Sequence, residues 1–279
     1  TSGVDRSASF ALPDGVAIYG GFAGTETTLE DRDWTAHVTT LTGDIGARGD
    51  PADNSYHVVT VRSLTAATTL DGFTITGGNA DGPTAESKRG AGLWVVQCAE
   101  ALTVARVTFV ANRAYNGGAM YMANSNGALR DVWFVGNTAA LVAGGLFCDT
   151  SSPSLTSVSF VDNAARYGAG LYTNAGSAPH VNDAVFRRNR AGRDGGGLMA
   201  FESDPRFSDV VFAGNTAVLG GGMSLDIASP QLNRVTFVGN SASRGGGIQS
   251  YLGTRPFQDV TFRRNHASRG PNIFVVRHP

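Results

Sequence analysis

A repeat limits this chain to a short list of architectures. The motif Phe-x-x-Asn recurs as Phe109/Asn112, Phe134/Asn137, Phe160/Asn163, Phe186/Asn189, Phe212/Asn215, Phe237/Asn240 and Phe262/Asn265. Successive asparagines lie 25, 26, 26, 26, 25 and 25 residues apart. Six of the seven pairs are followed by a glycine cluster and an apolar residue, as in Gly117-Gly118-Ala119-Met120, Gly144-Gly145-Leu146 and Gly195-Gly196-Gly197-Leu198. A looser earlier copy runs Gly77-Gly78-Asn79, then Gly90-Ala91-Gly92-Leu93, with an insertion from Asp81 to Arg89. After Asn265 the cluster is replaced by Gly270-Pro271-Asn272-Ile273, so the last copy is degenerate.

Within a repeat, apolar residues alternate as in a strand. One strand reads apolar-x-x-Val-x-Phe, as in Leu129, Val132 and Phe134, and another starts after the glycines. Glycine permits tight left-handed corners. Asparagine also tolerates that conformation and hydrogen-bonds neighbouring backbone, so stacked asparagines are expected to form a ladder inside a corner. The Phe-x-x-Asn motif is therefore read as scaffold. Propeller blades need roughly 40 residues, and leucine-rich repeats lack the glycine triplet. A period of about 25 fits three short strands and three turns, and parallel crossovers are right-handed. The chain is expected to be all-β, a right-handed parallel β-helix spanning 1–279, with irregular coils or a cap over 1–66 and regular coils over 67–279.

Charged residues make up 16% of the chain, below the roughly 25% usual in globular domains. The net charge is −1 and Lys88 is the only lysine, so a basic nucleic-acid face is not expected. Cys98 and Cys148 have no metal-ligand spacing. Placed about two coils apart, they are expected to be free and packed. No apolar run approaches the roughly 18 residues of a membrane span. The chain starts at Thr1 without a signal peptide, and an upstream segment is expected to have been removed or omitted.

The Phe-x-x-Asn and Gly-Gly-Ala elements resemble the repeats of chlamydial polymorphic outer-membrane proteins, which are autotransported surface adhesins. Only Gly117-Gly118-Ala119 gives that tripeptide, and Met120 follows it in place of Ile, Leu or Val. The stretch Gly15–Thr27, with Arg32-Asp33-Trp34 and Asn54-Ser55-Tyr56-His57-Val58-Val59, is similar to the start of large secreted bacterial β-helix proteins, which are often surface-anchored. The resemblance implies a bacterial, extracellular location, secreted or on the cell surface, and more sequence on both sides.

Residues 1–66 lack the repeat. Val16–Phe22, Val38–Thr42 and His57–Val61 read as strands of irregular coils, Gly24–Ala36 as a loop, and the whole as a cap. Asp44, Asp50 and Asp53 share one oxygen-rich loop and are the candidates for a metal, Ca²⁺. No cofactor is otherwise implied. Arg48-Gly49-Asp50 is the integrin-binding tripeptide, read as a chance occurrence.

Period two places one column of the post-glycine strand outward: Trp94, Tyr121, Phe147, Tyr172, Met199, Ser224 and Gln249. The next is Val96, Ala123, Asp149, Asn174, Phe201, Asp226 and Tyr251. An exposed aromatic strip marks an interaction surface. Trp94, Tyr121, Phe147, Tyr172, Asp149, Asn174, Phe201 and Tyr251 are therefore the ligand-binding candidates, for a polysaccharide or a surface protein. Mutual cross-strand packing without a ligand is the competing reading.

Many β-helices are polysaccharide lyases or hydrolases, but fold alone licenses no activity. Paired carboxyls must stand about 5–5.5 Å apart for retention, or about 6.5–9.5 Å for inversion. Glu202 and Asp226, with Asp204 and Arg206, form the strongest catalytic candidate. No Asp-Asp pair with Gly-His-Gly, no nucleophile elbow and no phosphate loop occurs. The leading expectation is a non-catalytic adhesive or structural module, with a polysaccharide lyase or glycoside hydrolase as the alternative. A third is end-to-end self-association through open strand edges.

Overall fold

A computed structural model describes residues 5–99, 101–251 and 259–276. Each regular coil gives one strand to each of three parallel sheets, as in Leu171–Asn174, His180–Arg187 and Arg190–Asp194. The post-glycine strands form a ten-stranded sheet and the phenylalanine strands an eleven-stranded one. The third sheet is shorter, with five strands and then two, joined by bridges through Thr216 and Leu219. The chain is thus a parallel β-solenoid of right-handed β-helix architecture, as the repeat predicts.

The phenylalanines fill the core. Phe109, Phe134, Phe160, Phe186, Phe212 and Phe237 are fully buried. Neighbouring rings from Phe109 to Phe262 lie 4.5–5.2 Å apart with planes within 6–13° of parallel. Three residues on, the asparagines form the predicted ladder. Asn189 is typical. Its Nδ2 donates to Asn215 Oδ1 at 3.0 Å and to the Phe160 carbonyl at 2.9 Å. Its Oδ1 accepts from Asn163 N and Nδ2, both at 3.0 Å. Every polar atom of that buried amide is used, so the corner costs no unmet hydrogen bond.

The strand phase has an unexpected feature. Leu129 and Val132 are three residues apart, yet both are fully buried. Asp131 between them has φ +53°, and Arg106, Ser157, Asp183, Asp209 and Arg234 repeat this at +50° to +57°. One left-handed residue in each phenylalanine strand turns it through an extra step, which returns the next apolar side chain to the inside. The sequence "x-x" is this kink. At the opposite corner runs a second, shorter ladder. Cys98 N donates to Ser125 Oγ, Ser125 N to Ser151 Oγ, and Ser151 N to Ser177 Oγ, at 3.0–3.1 Å. Cys98 and Cys148 are buried, free thiols, and burial pushes both upward from the ordinary thiol range.

The degenerate last copy keeps the geometry. Ile273–Val276 pairs in register with Ile248–Tyr251, and Gly270 supplies the same left-handed corner, φ +59°. The early strands join the same sheets. Val59–Arg62 pairs with Phe10–Ala11 and Leu93–Ala99, while Ala17–Tyr19 and Thr39–Thr42 extend the phenylalanine sheet. The loop over Gly24–Ala36 does leave the coil, but it is pinned back. Arg32 Nη2 reaches the buried Asp71 at 2.9 Å, Arg106 Nε binds the same carboxylate at 2.9 Å, and Trp34 packs on Trp133 with centroids 5.6 Å apart.

Candidate functional site in the outer groove

The left-handed glycine corner folds the third sheet over the outer face of the post-glycine sheet. At Gly195, φ +68°, a Cβ would stand 2.2 Å from the Leu198 carbonyl oxygen, so this corner calls for glycine. Among the described coils Ala143 is the one other residue type at the equivalent position, at φ +54°. Three columns then run side by side along the stack. The corner column is Arg89, Asn116, Val142, Tyr167, Asp194, Leu219, Arg244 and Arg269. The floor runs from Trp94 through Tyr121, Phe147, Tyr172, Met199, Ser224 and Gln249 to Phe274. The outer column carries Asp149, Asn174, Phe201, Asp226 and Tyr251.

The sequence places the floor residues outward, and they are outward, but most are not exposed. Trp94, Tyr121 and Phe147 are only 5%, 2% and 6% accessible. They form a satellite core with Val142, Ala143 and the half-buried Tyr167 and Tyr172. Tyr121 and Tyr172 meet Phe147 edge-on, at 68° and 89°, a favourable aromatic geometry. Arg62 covers Trp94, 4.1 Å from its ring centroid, and pairs with Glu86. An open aromatic wall is therefore replaced by a closed floor. The accessible groups are Tyr172 and the outer column Asp149, Asn174, Phe201, Asp226 and Tyr251, all half-buried.

Two clusters in this groove carry polar chemistry. Near the N-terminal end, the Tyr121 hydroxyl donates to Asp149 Oδ2 at 2.7 Å and accepts from Arg89 Nη1 at 2.9 Å. Burial, with the Asp149 bond and charge behind it, raises the Tyr121 phenol far above its ordinary range. Asn174, with its amide nitrogen turned inward, donates to Asp149 Oδ1 at 3.1 Å. Arg89, Tyr121 and Asp149 border a cavity of about 450 Å³ with Glu86, Trp94 and Thr150.

Toward the C-terminal end, Asp194 and Asp226 line one cavity of about 310 Å³ with Arg193, Arg244, Ser224 and Tyr251. Asp194 Oδ1 is buried without a donor, and its nearest cation, Arg193 Nε, is 3.9 Å away. Burial raises the Asp194 carboxyl, opposed by Arg193 and reinforced by Asp226. Burial also raises Asp226, helped by the Glu202 charge. Tyr172 is pushed up to about 12, first by burial and then by Asp226, Tyr167, Asp149 and Asp194.

The proposed catalytic quartet is divided. Asp226 lies in the groove, and Glu202 sits exposed at its rim, its backbone N–H donating to the Asp226 carbonyl at 2.9 Å. Asp204 instead caps the neighbouring turn through Ser229 N at 2.6 Å. Arg206 belongs to the phenylalanine sheet and meets His180 Nε2 at 2.9 Å. The groove partner of Asp226 is Asp194, which the sequence reading missed. A signal was present, because Asp194 directly precedes the glycine triplet, the position that always lands on the corner column.

Asp44, Asp50 and Asp53 do not converge as a carboxylate trio, and no group of three or more His, Cys, Asp or Glu does so among the described residues. Each binds an amide of its own loop: Asp44 that of Gly49, Asp50 that of Ala52, and Asp53 that of Ala47. His57 is buried against Trp94 with Nδ1 3.1 Å from the Gly90 carbonyl, and burial lowers its pKa. No described helix is long and apolar enough to cross a membrane.

None of the family models, curated proteins or solved structures compared with the chain matches it significantly. The class that the fold defines is the parallel β-solenoid. The likeness to polymorphic outer-membrane protein repeats extends no further than the motifs that carry it.

Proposed function

We propose that this protein is a rigid, non-catalytic adhesive module of a secreted or cell-surface bacterial protein, and that an extended glycan lies along its groove. The observation that carries this reading is the outer column. Asp149, Asn174, Phe201, Asp226 and Tyr251 stand on successive coils, one inter-strand step of about 4.8 Å apart, beside Tyr172. Such a row offers ring faces for the apolar faces of sugars and carboxylate or amide oxygens for their hydroxyls. The packed floor beneath holds the row in place, so little side-chain freedom is lost on binding. Affinity electrophoresis against neutral and acidic polysaccharides tests it. At least one polymer should retard the chain, and Phe201→Ala and Tyr251→Ala should each weaken retardation about tenfold, or about 1.4 kcal/mol. Absence of retardation by every polymer, or retention unchanged in both variants, counts against the proposal.

A second reading has its own observation. Asp194 and Asp226 share a cavity and both hold their protons more tightly than ordinary carboxyls, the property expected of a general acid in glycoside cleavage. Release of reducing ends from a retained polysaccharide, abolished by Asp226→Asn, would establish hydrolysis in place of binding alone.

A further inference from the structure

Three acceptor oxygens lie where two irregular segments of the early coils cross. They are Asp53 Oδ1, Asn54 Oδ1 and Asn79 Oδ1, each shut off from solvent and none with a protein donor. Asn54 and Asn79 are themselves only 7% and 5% accessible. Their orientation is fixed, because both amide nitrogens are occupied. Asn54 Nδ2 donates to the Gly77 carbonyl at 2.7 Å. Asn79 Nδ2 donates to the Pro51 carbonyl at 2.7 Å and to Asp81 Oδ2 at 3.1 Å. The same bonds tie the segments together, with Asn79 N donating to the Ser55 carbonyl at 2.9 Å. Asp44 flanks them across Gly77, its Cβ 3.6 Å from where a Gly77 side chain would begin.

Buried acceptors are normally matched by donors. Three such acceptors on two hydrogen-bonded segments call for several waters or for one cation. A hard cation would serve them together, and calcium accepts this mixture of carboxylate and side-chain amide oxygens in irregular geometry. We propose that this crossing binds calcium through Asp53, Asn54 and Asn79, with Asp44 completing the acidic side. The ligand set differs from a carboxylate trio, because two of its three buried oxygens come from asparagines. Arg6 stands beside it, its Nε and Nη2 on the Asn54 and Asn79 carbonyls at 2.6 and 2.9 Å. Its charge is paired with Asp81 at 2.6 Å. That neighbouring cation and the few carboxylates predict a weak site, on the order of 10⁻⁴ M. The site is independent of the groove. Its neighbouring cavity, about 330 Å³, is lined by Pro51, Asn79, Asp81, Lys88 and Arg113 on the short-sheet side.

The test uses the whole chain stripped with a chelator. Terbium, excited through tyrosine, should luminesce on binding, since Tyr56 follows the site by two residues. Calcium should displace it and raise the melting temperature by several degrees at 5 mM, and equal magnesium should not. Asp53→Asn keeps an acceptor but removes the charge, and should weaken terbium binding at least tenfold. If that variant does not fold, the calcium-against-magnesium comparison on the unaltered chain still decides. Absence of terbium luminescence, equal thermal shifts with the two ions, or unchanged binding by a folded Asp53→Asn chain would overturn the proposal.

Discussion

The asparagine corner and the outer groove each recur once per coil, yet they treat side chains in opposite ways. At the corner one residue type repeats from Asn112 to Asn265, each bonded to the next. The phenylalanines beside them stack nearly parallel. In the groove the residue changes from rung to rung, the aromatics meet edge-on, and Trp94 Nε1, Asn116 Oδ1 and Asp194 Oδ1 are buried without partners. Identical rungs let every group satisfy its neighbour, so the corner is saturated and supports the stack. Rungs that differ leave groups unmatched, and those groups are available to something other than the scaffold.

The largest effect should come from breaking the saturated side. Asn189→Ala removes four hydrogen bonds and strands Asn163 N and the Phe160 carbonyl in the interior. The expected loss is about 3–5 kcal/mol by urea denaturation. A loss below about 1 kcal/mol would mean that the ladder is not what holds the corner. Phe186 is clamped between Phe160 and Phe212 at 4.6 and 4.5 Å. Phe186→Ala should cost about 3–4 kcal/mol, and Phe186→Leu about 1–1.5 kcal/mol. Near-equal costs would show that the site collapses around either residue.

The groove should respond with the opposite sign. Asp194 has a raised folded pKa, so its contribution favours the native state at low pH. That contribution is lost as pH rises from the ordinary carboxylate value through the folded one, and the cost persists at neutrality. Asp194→Asn should therefore stabilise the chain at pH 7 by about 0.5–1 kcal/mol and flatten the profile through the acidic range. Destabilisation at pH 7 would show that the carboxylate is held by a structural partner. The smallest effect belongs to the exposed Arg234–Asp209 pair, bidentate at 2.6 and 2.7 Å. It is fully solvated, so Arg234→Ala should leave the melting temperature within experimental error.

Much of this was legible in the chain. The 25- or 26-residue spacing fixes the coil, the asparagine ladder follows from buried amides at one corner, and the glycines mark another. The early strands at 17–19 and 39–42 fall inside the expected segments, and the strand at 59–62 overlaps the third and runs one residue past it. The candidate site was legible only in part. Alternation correctly turns Trp94, Tyr121 and Phe147 outward, but it says nothing about what covers them. Their cover comes from Val142 and Tyr167, at the ends of strands that run from the asparagine corner into the glycine corner. Asp226 was found as a carboxylate on the right face, whereas Asp194 reaches it from a different sheet.

Sequence periodicity therefore determined which residues repeat, which face inward and which class of fold results, because those depend on local phase and on stacking like upon like. Tertiary structure alone decided which outward residues stay wet, which carboxylates share a cavity, and where Asp53, Asn54 and Asn79 leave three oxygens without donors. These depend on the sharpness of the corners and on the crossing of segments far apart in the chain. A one-residue left-handed kink, such as the one at Asp131, resets which side chains face inward without altering the period.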